Sequence, residues 1–106
     1  MSKTRIKYER TGGFAGLKLS TSFELDDLPD EQEKQVLELL DDVDFFDLPP
    51  QLLPARPGSD QFTHKIEVDG KKGKHTVLAT DSAAPEKLRE LIGLLNLLAR
   101  THRKKD

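Results

Sequence analysis

Residues 4–10, TRIKYER, alternate between apolar and polar: Ile6 and Tyr8 fall on one side, Arg5, Lys7 and Glu9 on the other. Residues 17–25, LKLSTSFEL, alternate more cleanly, with Leu17, Leu19, Thr21, Phe23 and Leu25 opposite Lys18, Ser20, Ser22 and Glu24. A period of two over this length predicts strands buried on one face. The glycine-rich stretch RTGGFAG between them, Arg10–Gly16, predicts a hairpin connection. A second pair follows. Phe62, His64, Ile66 and Val68 alternate with Thr63, Lys65 and Glu67, and the turn DGKKG leads into KHTVLATD. In that return strand Val77 and Leu78 are apolar on opposite faces, so the pattern leaves its facing open.

Between the hairpins the period becomes helical. Val36, Leu37, Leu40 and Val43 form an apolar stripe after Pro29, and Asp30 and Glu33 have capping-box spacing. Phe45 and Phe46 precede two prolines, which forbid further helix; both rings are expected in the core of a short closing turn. Residues 48–60 hold four of the six prolines and predict a long loop. The C-terminal segment offers Asp81 and Ser82 as caps and has Pro85 in its first turn. Its stripe of Leu88, Leu91, Ile92, Leu95 and Leu98 is widened by Leu94 and Leu97. The order is β-β-α-β-β-α. It predicts a single α+β domain over residues 1–106, with two β-hairpins forming one four-stranded antiparallel sheet packed against helices. Residues 100–106 are a basic tail, expected to fray.

Composition narrows the function. The chain has 106 residues and no cysteine, which removes disulfides, thiolate metal sites and cysteine nucleophiles. Its start, MSKTRIKYER, lacks the apolar core of a secretory signal. The longest apolar run, Leu91–Ala99, is interrupted by Gly93 and Asn96 and is too short to span a bilayer. A cytoplasmic protein without membrane contact is expected. The net charge of -2 is unevenly spread: Glu24–Asp47 carries eleven acids and one lysine. Acids near a helix start suit the helix dipole, and a partner-facing acidic surface is the alternative. His64, His75 and His102 have no metal-ligand spacing. His64 and His75 fall on paired strands, where a zinc-binding pair and two ordinary sheet histidines are both conceivable, the latter being the commoner case. No serine sits in a nucleophile motif. GGFAG runs into a strand pattern rather than a helix, unlike a phosphate-binding loop. The basic GKKGKH and RTHRKK stretches lack interleaved aromatics, which argues against nucleic acid. No enzyme, cofactor or metal site is expected.

At ERTGGFAGLKLS the chain resembles the emfourin family, small bacterial inhibitors of thermolysin-like zinc metallopeptidases of which protealysin is the founding target. The resemblance covers nearly the whole chain. It is carried by Arg10, Gly12, Gly13, Phe14, Ala15 and Gly16; by Asp44, Phe45, Phe46, Leu48 and Pro49; and by DQFTHKIEVDG and DSAAPEKLRELIGLL. It implies a protease inhibitor, monomeric when free, whose partner is a thermolysin-like metallopeptidase that supplies the zinc. Such enzymes cut before bulky hydrophobic residues, and Gly-Gly-Phe-Ala reads like a substrate with Gly13–Phe14 at the cutting position. Arg10, Gly12, Gly13, Phe14, Ala15 and Gly16 are therefore the protease-contact candidates. Two roles stay open for Phe14: bait for a primed-side pocket, or a ring folded back over the end of the sheet. A different class of function also stays open, an intracellular protein-protein interaction module using the acidic helix and the proline-rich loop.

Overall fold

The computed structural model describes residues 4–12, 18–54, 62–71 and 73–101. The elements run β1 (Arg5–Gly12), β2 (Leu19–Glu24), α1 (Asp30–Asp42), β3 (Gln51–Leu52), β4 (Phe62–Gly70), β5 (Gly73–Thr80) and α2 (Glu86–Thr101). Single 3-10 turns occupy Leu25–Asp27 and Phe45–Asp47. Both expected hairpins form, and they join where β1 lies antiparallel beside β4. The expectation of four antiparallel strands is corrected: among the described residues the sheet has five strands, in the order β2-β1-β4-β5-β3, and is mixed. β3 runs parallel to β5, with Gln51 opposite Leu78 and Leu52 opposite Ala79. Prolines end helices, but their fixed φ suits an extended sheet edge. The Leu78 N–H donates to the Pro50 carbonyl at 2.9 Å, and Leu52 packs on the core. Within the stretch read as a loop from residue 48, Gln51–Leu52 is therefore an edge strand; residues 55–60 lie outside the described residues.

The strand pattern settles which face is buried. Ile6 and Tyr8 of β1, Thr21 and Phe23 of β2, and His64, Ile66 and Val68 of β4 all turn inward. Val77 stands opposite Ile66 and is fully buried, as is Ala79, so these two, and not Leu78, face the core from β5. The outer face is charged. Its ion pairs, Lys18–Glu9 at 3.0 Å, Arg5–Glu24 at 3.3 Å and Lys7–Glu67 at 3.8 Å, are surface pairs of the kind worth about 0–1 kcal/mol. α2 lies on the inner face against β1 and β2 and buries Leu88, Leu91, Ile92, Leu95 and Leu98. α1 packs on α2.

Three helix expectations need correction. Leu37 is 47% exposed and Leu97 55% exposed. Each sits one residue, or about 100° of helix, from a buried neighbour, Val36 or Leu98. Along α1 the inward side is Val36, Leu39, Leu40 and Val43. No capping box forms either: α1 follows Pro29, and the Glu33 N–H bonds the Pro29 carbonyl. α2 begins after Pro85, whose carbonyl accepts the Arg89 N–H, so Asp81 and Ser82 lie in the preceding turn. Phe45 is buried, as expected, whereas Phe46 is only half-buried and packs edge-on beside it against the core. Asp44, at φ 50°, makes the sharp bend between α1 and that turn, a conformation that a short polar side chain tolerates. α2 includes Arg100 and Thr101; the rest of the basic tail, 102–106, lies outside the described residues.

Candidate functional site

β1 is flanked on both sides, by β2 and β4, so its last residues are held by two ladders. Arg10 lies between Leu19 and His64, and Gly12 stands opposite Phe62. Gly12 has φ 95°, a backbone region in which a side chain would be strained. The chain thus leaves the sheet there in a conformation that selects glycine. The Arg10 guanidinium sits 4.3 Å from the centre of the Phe62 ring, its diagonal neighbour across the β1–β4 ladder. Such a cation–π contact contributes about 0.5–1 kcal/mol. The Arg10 Nε is buried and has no hydrogen-bond partner among the described residues.

Directly inward lies a polar cluster that the hydrophobic pattern concealed. The Tyr8 hydroxyl is 2.8 Å from His64 Nδ1, and His64 Nε2 is 2.6 Å from an Asp81 carboxylate oxygen. A carboxylate only accepts, so Nε2 donates to Asp81. In the tautomer with its proton on Nε2, Nδ1 accepts from Tyr8, while Asn96 Nδ2 donates to the Tyr8 oxygen at 3.4 Å. Every member is then satisfied. Tyr8 and His64 are almost fully buried, and burial pushes the Tyr8 pKa up to about 12. The cluster ties β1, β4, the turn before α2 and α2 itself together behind Arg10. A phenol, an imidazole and a carboxylate in series resemble a proton relay, but the hydroxyl at its end is buried under Asn96 rather than presented to a substrate.

Of the contact candidates, Arg10 and Gly12 are brought together with Phe62 and His64. Gly13, Phe14, Ala15 and Gly16 lie outside the described residues. Tyr8, Asn96, Phe62 and Asp81 were not among the candidates. The available signal was His64 itself, a polar residue at an inward position of an alternating strand, which needs buried partners. The possible His64–His75 pair does not form: His64 is opposite Ala79 and His75 opposite Val68. His75 instead packs edge-on against Phe45 and donates to the Leu48 carbonyl at 2.8 Å, fastening the turn after α1 to the sheet. Among the described residues, the carboxylates close enough to share a metal ion are those of Glu24, Asp26 and Asp27, at the exposed end of β2. No helix among the described residues is long and apolar enough to cross a membrane.

The sequence model of a family described as Emfourin matches residues 8–96. A solved structure of emfourin from Serratia proteamaculans, described as an M4 family peptidase inhibitor, is similar at 22% identity and a TM-score of 0.45, covering 98% of this chain and 92% of that one. No curated protein gives a significant match.

Proposed function

Because this chain belongs to the emfourin family, we propose that it is a reversible proteinaceous inhibitor of thermolysin-like zinc metallopeptidases and acts by occupying their active-site cleft. The support is the family match over residues 8–96, which contains the segment RTGGFAG and the cluster behind it. The local geometry is compatible with this role. Two ladders, the Arg10–Phe62 contact and the Tyr8–His64–Asp81 chain fix the end of β1. A segment anchored in this way loses less freedom on binding, which lowers the ordering cost of association. In this proposal Phe14 fills a primed-side hydrophobic pocket as an aromatic anchor, and the Gly13 carbonyl faces the zinc of the target. The glycines on either side let the two backbones approach closely. The protein itself supplies no cofactor and performs no reaction.

Phe14→Ala tests the contact. The inhibition constant against a thermolysin-like peptidase is expected to rise at least tenfold, about 1.4 kcal/mol, with the circular dichroism spectrum unchanged. An unchanged constant refutes Phe14 as the anchor. Loss of the folded spectrum assigns the ring to packing of the sheet end instead.

A further inference from the structure

α2 carries a glycine that its own fold does not require. Gly93 lies in the middle of the helix, on the exposed side, and a Cβ built there meets no atom of the described residues within 4 Å beyond its chain neighbours and its own helix backbone. Glycine at such a position costs about 1 kcal/mol relative to alanine, and no packing among the described residues recovers it. Above Gly93 is a cavity of about 550 Å³ between α2 and the start of β4. Phe62 lines one wall and Leu97, the most exposed large hydrophobic residue among those described, lines the other. Arg89 and Arg100 stand at the two ends, and neither makes an ion pair with a described residue. Positions 89, 93, 97 and 100 share one face of the helix. Asp81, also at the rim, is already engaged by His64.

This groove adjoins the end of β1, since Phe62 is the ladder partner of Gly12. A partner that covers Gly12 therefore reaches the groove without a gap. Two arginines without an ion-pair partner among the described residues, on a chain of net charge -2, select for carboxylates, and the apolar centre with a bare glycine floor selects for a hydrophobic side chain. Eleven residues of helix separate the arginines, about 16 Å at 1.5 Å per residue, which an extended chain spans in about five residues.

We propose that this groove is a second contact surface for the inhibited peptidase and takes an extended acidic-apolar segment of it, with carboxylates on Arg89 and Arg100 and a hydrophobic side chain over Gly93 between Phe62 and Leu97. The inference rests on the inhibitory function proposed above. A nucleic acid is disfavoured because Arg10 already covers a face of the Phe62 ring on which a base would stack.

The test compares inhibition constants of the full-length wild type, the double variant Arg89→Glu/Arg100→Glu and Gly93→Leu, at low and at high salt, against a thermolysin-like peptidase. The double reversal is expected to raise the constant at least tenfold at low salt and to reverse the direction in which salt moves it, because like charges then face each other across the contact. Gly93→Leu fills the groove and is expected to raise the constant at least fivefold, with a thermal midpoint at or above that of the wild type. A wild type that inhibits, with constants unmoved by both changes, overturns the groove while leaving the inhibitory function intact. A wild type that does not inhibit overturns both.

Discussion

Tyr8 is the sole tyrosine of a chain that has no tryptophan, so tyrosinate absorbance reports on one buried hydroxyl. Burial is the largest influence on it and raises its pKa from 10.0 to about 12, against the opposing effects of the Asn96 hydrogen bond and the Arg10 and Arg100 charges. The unfolded chain titrates near 10. Because the folded value is the higher one, the un-ionised hydroxyl's contribution to stability is fully present below about pH 10 and is withdrawn as pH rises towards 12. At about 1.4 kcal/mol per pKa unit, roughly 3 kcal/mol is lost across that window. That is a large part of the roughly 5–15 kcal/mol that holds a typical domain folded. The assay follows tyrosinate absorbance and far-ultraviolet circular dichroism together during an alkaline titration. Ionisation is expected close to pH 12, or in step with unfolding if the fold yields first. Tyr8→Phe removes this alkaline slope. At neutral pH it destabilises by about 1–3 kcal/mol, because His64 Nδ1 is left buried and unpaired. Half-ionisation near pH 10 with the dichroism unchanged refutes the buried-network account.

Leu95→Ala, at a fully buried position of α2, is expected to lower unfolding free energy by about 2–5 kcal/mol in a denaturant titration. Two glycines should respond in opposite directions. Gly93→Ala, with open space at its Cβ, is expected to stabilise by about 0.5–1 kcal/mol, whereas Gly73→Ala is expected to destabilise, because φ is 107° in the β4–β5 turn; thermal midpoints check both. Asp81→Ala withdraws the acceptor of His64 Nε2 and should cost about 1–3 kcal/mol in the same titration.

The hairpins and both helices were legible because their periods were clean, and the inward positions Ile6, Tyr8, Phe23, Ile66 and Val68 follow directly from alternation. β3 was hidden because two residues carry no periodicity and the surrounding prolines read as a loop; what makes it a strand is a parallel neighbour 27 positions away, Leu78 opposite Gln51. The caps misled for a similar reason. Asp81 has the composition of a helix cap, but a buried imidazole on β4 offers it a better partner. The site was legible only in its local half. RTGGFAG announces itself by its glycines, and Gly12 does take the conformation they permit. Phe62, Asp81 and Asn96 reach that end of the sheet through tertiary contacts, which no local spacing reveals.

The most direct measurement is steady-state hydrolysis of a short peptide by a thermolysin-like metallopeptidase, titrated with this protein at several substrate concentrations. Occupation of the active-site cleft predicts an apparent inhibition constant that rises linearly with substrate, and activity that returns on dilution. Full activity at micromolar protein across several such peptidases, or a constant indifferent to substrate, contradicts it.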